Sequence, residues 1–250
     1  MTTAPILVAT PPRLKARALW FYVGMALFAI LFSIAAFIPS LMQASVRLGP
    51  LTGLLAAHGV VFFTWLLVFL AQSILARTGR LALHRQLGMW SAILAAAMVV
   101  LGYESTIAMA RRGFDLSGDL GVRSDPLAGI AFPLLDIAMF AVLFVAAYLY
   151  RRRSAIHKRL MLLAVFGGLM PAPIAHLTGH YAFFHDKPLL TPLIVGAFLA
   201  VSAIHDRIVM RQIHPVSLWV ALAVFIVDNL CAALVMPSPA WHAFASSLIR

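Results

Sequence analysis

A single cysteine, Cys231, is all the thiol chemistry this chain has. That excludes an intrachain disulfide and any cysteine-built metal cluster. Acidic residues are scarce: eight Asp and Glu stand against nineteen Lys and Arg, for a formal charge of +11. The only lysines are Lys15, Lys158 and Lys187, at or outside the ends of the apolar runs, so no span carries a lysine for a retinal Schiff base. No glycine-rich phosphate loop occurs, which removes a nucleotide-binding reading.

What the chain does have is apolar sequence. Hydrophobic residues make up 63% of its 250 positions, and mean hydropathy is +0.97. A soluble domain is nearer half apolar. The excess sits in continuous runs of the length, about 20 residues, that a helix needs to cross a bilayer. Strand spans would alternate instead. The expected fold is therefore an all-α membrane protein with about seven transmembrane helices, over 18–41, 51–76, 87–110, 128–150, 160–181, 189–206 and 215–236. Segment 1–17 precedes this bundle (18–236) and 237–250 follows it as a tail. The first run is longer than a signal-peptide core, and Met42-Gln43-Ala44 is a poor cleavage site, so it reads as a retained span.

Orientation follows from the basic residues. Thirteen of the nineteen lie in 1–17, 77–86, 151–159 and 206–214, on one side of an alternating seven-span chain. The positive-inside rule then puts the N-terminus in the cytoplasm and the C-terminus outside, in a bacterial-type inner membrane. In that setting the positive charge meets lipid headgroups, and nucleic acid is not an expected partner. RRGFDLSGDLGVRSDP (111–126) is the one loop long enough to act as a lid.

An internal repeat is also visible. ALHRQLGMW (82–90) opens the third span and AIHKRLMLL (155–163) the fifth, which makes 51–110 and 128–181 a pair of similar helix hairpins. Repeats of this kind place sites at their interface. HRQLG and HKRLM also resemble elements of uncharacterised bacterial polytopic membrane proteins, over spans two to five.

Ionisable residues inside a bilayer are costly and mark function. His58, Glu104, Asp136, His176 and Asp228, on five different spans, all fall about 7–12 Å below the exported surface at 1.5 Å per residue. His180 lies at that surface. Asp136 and Asp228 are too short to reach water from about 12 Å. The spacing of His176 and His180 puts both on one helix face, as a two-imidazole metal site requires. His58 is then a third ligand, Asp136 a fourth or an orienting group, and Glu104 a base toward metal-bound water.

This set resembles the seven-span membrane zinc hydrolases of the progestin and adipoQ receptor family. They share a cytoplasmic N-terminus, a histidine on span two, a buried aspartate and an HxxxH pair. The resemblance implies a zinc or other divalent-metal site at His58, Asp136, His176 and His180, with hydrolase activity. Here the HxxxH pair lies on span five rather than the last span, and Leu54 stands where that family has a serine.

Two alternatives come from the same residues. His58 with His176, and His84 with His157, are pairs able to bind b-type haem iron axially, as in membrane electron-transfer proteins. Asp136 and Asp228, with Pro171, Pro173 and Pro192 as kink sites, are instead the ingredients of a proton-coupled transporter. An assembly or accessory role without chemistry is the remaining reading.

Overall fold

The computed structural model describes residues 12–43, 47–118, 120, 122–185, 187 and 189–250, with side chains from residue 20 onward. The side chains of Arg13, Lys15 and Arg17, and the cleavage position Ala44, lie outside the described residues. The chain is all-helical, and no strand occurs among the described residues.

Seven helical stretches are long and apolar enough to cross a membrane, which makes this an integral, multi-pass membrane protein. The first three spans are single helices: α1 (Pro12–Met42), α2 (Gly53–Arg77) and α3 (Leu81–Arg112). The fourth joins a short α4 (Pro126–Gly129) to α5 (Ala131–Leu149), and the fifth is α6 (Ser154–Gly168) followed by α7 (Pro171–His180). α8 (Leu190–Met210) is the sixth. The seventh is α9 (Ala221–Leu230) between two π-helical turns, Val216–Val220 and Cys231–Val235. Within 237–250, after the last span, the chain forms α10 (Pro239–Leu248).

At the arginine-rich end some helices extend further out than hydropathy indicated. α3 starts at Leu81 rather than 87, and α6 at Ser154 rather than 160. Charged residues lower a hydropathy window without stopping a helix, because Arg and Lys stems run along the helix while their heads reach water. His84, His157 and Arg159 are therefore helical residues and not loop residues.

The fifth span is the centre of the bundle, with 67% of its membrane window buried. A stretch buried all round, as α6 is from Leu162 to Gly168, has to be surrounded by other helices. In lipid, packing rather than hydrophobic expulsion holds helices together, so small residues matter. A Cβ on Gly168 would stand 2.6 Å from the backbone nitrogen of Phe140, so α5 and α6 touch main chain to main chain there. Trp65, Phe140, Phe166, Met98 and Ile174 fill the core around them.

Span five breaks at Leu169–Met170. Pro171 cannot donate a backbone hydrogen bond, and the Met170 amide reaches back to the Val165 carbonyl, 2.9 Å away. Pro192, in contrast, kinks nothing. It lies in the first turn of α8, where a missing amide costs no helical bond.

The 111–126 loop is pinned down. Gly113 ends α3 with φ +76° and donates to the Met109 and Ala110 carbonyls. The Leu48 amide donates to Leu116 O at 2.8 Å, and Asp115 and Val122 are buried. α10 caps the same end of the bundle, with Trp241 Nε1 donating to Leu127 O at 2.7 Å and Arg111 donating to the carbonyls of Ile249 and Arg250.

Candidate functional sites

The ionisable layer named from sequence divides when side chains are placed. His58 stacks on Phe62 of its own helix, ring centroids 4.0 Å apart, and lies beside the Leu101 backbone of α3. Its Nδ1 is buried without a partner. His176 faces elsewhere: its Nδ1 bonds the Ser117 hydroxyl at 2.9 Å, and its ring meets Phe37 of α1. His180 is exposed beside Tyr181 at the end of α7. Glu104 is exposed, in a cleft of about 420 Å3 that Tyr103, Leu134 and Ile137 also line. Among the described residues, no three His, Cys, Asp or Glu side chains group closely enough to hold a metal ion.

Two members of the layer lie on spans that pack against each other. Asp136 of α5 and Asp228 of α9 are both buried. Asp136 Oδ1 and both carboxylate oxygens of Asp228 are buried with no hydrogen-bond partner. Beside them, Cys231 lines an otherwise apolar cavity of about 490 Å3 between α3, α5, the seventh span and α10. Trp241, Phe244 and Leu248 of α10 form one of its walls.

α10 is held at this end by a charged contact. His242 Nε2 lies 2.8 Å from Asp125 Oδ2, and Asp125 Oδ1 also accepts from the Ala128 amide as the N-cap of α4. The Ala128 amide and then His242 hold the Asp125 carboxyl below its usual range. The bond to the Ser238 carbonyl and then Asp125 push His242 up.

The opposite, arginine-rich end holds a network that sequence reasoning missed. Arg159 of α6 donates through Nε to Asp206 Oδ2 at 2.9 Å and through Nη2 to Asp206 Oδ1. Their side chains are 1% and 0% exposed. Asp206 also accepts from Ser217 at 2.6 Å and from the His214 amide at 3.3 Å. Burial, and then the positive Arg159, push His214 below the ordinary imidazole value, and its Nδ1 accepts from the Val216 amide. His205 stacks on Phe21 at 3.9 Å with both ring nitrogens buried and without a hydrogen-bond partner. The available signal for this network was an aspartate inside a helical segment that is otherwise partly apolar, AIHDRIVM.

At that same end His84 and His157 come together, as their matching places in the two hairpins suggested. Their ring centroids are 6.2 Å apart and the planes lie at 88°. His84 Nδ1 bonds the Gln72 carbonyl of α2 at 3.3 Å, and His157 Nδ1 bonds the Ala147 carbonyl of α5 at 2.8 Å.

No family model, curated protein or solved structure matches the chain. Functional argument therefore rests on these side chains.

Proposed function

We propose that this integral membrane protein moves protons by way of the Asp136–Asp228 carboxyl pair, coupled to passage of a solute. The observation that carries the reading is the set of buried carboxylate oxygens, from two different spans, that have no donor. A buried ionised carboxylate without a partner is among the most expensive groups a fold can keep. A pair of them is tolerable when it holds a proton, and carboxyls that interact strongly titrate as one unit. Such groups are typical of proton relays in pumps and transporters. The π-helical turn at Cys231–Val235 begins three residues after Asp228, and π-turns cluster at functional positions.

The zinc-hydrolase expectation has less behind it. Its ligands His58, His176 and His180 sit against different neighbours, and Glu104 faces outward.

Two measurements test the proton reading. Infrared pH-difference spectra of purified protein should contain a protonated-carboxyl band that disappears in D136N and D228N. Proteoliposomes with an internal pH dye and an imposed potential should acidify, and both variants should stop this. Native protein that lacks the carboxyl band, or variants that keep full proton flux, would overturn it.

A further inference from the structure

We infer that His84 and His157 ligate one transition-metal centre through their Nε2 atoms, at the arginine-rich end of the bundle and independently of the aspartate pair. The tautomer follows from the hydrogen bonds. A backbone carbonyl can only accept, so Nδ1 of each ring, bonded to Gln72 O or Ala147 O, carries the proton. The neutral imidazole then presents an unprotonated Nε2 lone pair. Neither Nε2 has a hydrogen-bond partner among the described residues. This is the arrangement by which metal-binding histidines are oriented: one ring nitrogen donates to a carbonyl, and the other is left for the metal.

The spacing agrees. Two imidazoles sharing one centre from opposite sides put their ring centres about 6 Å apart, given a metal–nitrogen bond of about 2 Å on each side. The observed separation is 6.2 Å. Gln72, whose main-chain oxygen orients His84, has its side-chain Oε1 buried with no partner. The two histidines also come from equivalent positions in the two similar hairpins, so the site sits at the repeat interface, where such sites are built.

Two protein nitrogens do not close a tetrahedral structural zinc site. They suit a centre whose other positions are filled by something else. Imidazole suits iron and copper, and the centre is either haem iron, with four nitrogens from its macrocycle, or a bare ion completed by water.

One experiment with two arms separates these sources. Purified full-length protein is first examined by reduced-minus-oxidised optical spectroscopy. A Soret and α-band pair assigns haem iron. Protein without those bands is treated with chelator, dialysed and titrated with Cu2+ alone, while electron paramagnetic resonance reads nitrogen hyperfine splitting. The expected result is haem, or one Cu2+ per chain with imidazole nitrogens. In either arm occupancy or affinity falls at least tenfold in H84N and in H157N, and H176N leaves it unchanged. Asparagine keeps a side-chain donor where Nδ1 stood but lacks Nε2, so loss of ligand in a variant with native elution and melting cannot be a folding effect. If one variant fails to fold, the other carries the test. Neither haem nor stoichiometric Cu2+, or binding that survives both substitutions, overturns the assignment.

Discussion

Arg159 grips Asp206 with two nitrogens across the gap between α6 and α8, in a place where neither side chain meets solvent. The pair is not isolated, because Ser217 and the His214 amide fill further acceptor sites on the same carboxylate. A buried ion pair of this kind is weak evidence for net stability, but breaking it is expensive, because the remaining charge is stranded. R159L or D206L alone should therefore lower stability by about 3–5 kcal/mol. The double variant R159L/D206L should lose clearly less than the sum of the two single losses, and less than either alone. Thermal denaturation in detergent checks this. Additive losses would mean that the two residues act separately.

Packing at the centre makes a second prediction. Gly168 has no room for a methyl group, since a Cβ there would stand 2.6 Å from Phe140 N and 2.7 Å from its Cα. Main chain cannot swing aside as a flexible side chain does. G168A should cost about 1–3 kcal/mol, the range for overpacking a tight core. G24A is the matched control, because nothing lies within 4 Å of its would-be Cβ. It should be neutral or gain up to about 1 kcal/mol from helix propensity. Melting of both variants in the same detergent compares them directly.

These two sites differ in how far the sequence revealed them. Seven spans were legible because bilayer thickness imposes a length on every apolar run. The close fit at Gly168 was visible only as a glycine pair, Gly167-Gly168, without its partner on α5. Arg159 was counted with the loop arginines, because hydropathy places a helix boundary where charge begins. Its partner Asp206 is 47 residues away, and nothing local to either residue encodes that pairing. For the ionisable layer, depth could be read at 1.5 Å per residue, but the direction in which a side chain leaves its helix could not. His58 and His176 share a depth and face different neighbours, while Asp136 and Asp228 share a depth on spans that pack together.

The His242–Asp125 contact predicts a pH window for docking of α10. His242 is raised above 6.5, so its contribution is fully present below that pH and is lost as pH rises through the raised value. Asp125 is lowered below 3.8, so its contribution is present above 3.8 and is lost as pH falls through the lowered value. The contact is strongest between these limits. Both side chains are partly exposed, so the effect is small and weakens with salt. The gap in melting temperature between native protein and H242Q should be widest at about pH 4–6.5 and close on the alkaline side. A gap that grows with alkalinity would show that the contact does not depend on a charged imidazole.

The aspartate pair leads to a prediction of opposite sign from that for Arg159. A residue kept for packing stabilises the fold, and one kept for chemistry can cost stability. The unpartnered oxygens of Asp136 and Asp228 place them in the second class. An unsatisfied buried polar group costs about 1–3 kcal/mol, and more when charged. D136N and D228N remove the charge and nearly preserve the shape. Each should raise thermal stability or leave it unchanged, while abolishing the carboxyl infrared band and proton flux. D206N, tested alongside, should lower stability, because its carboxylate is fully engaged. A clear loss of stability in D136N or D228N would mean that these carboxylates hold the bundle together, and their proposed role as proton carriers would go with it.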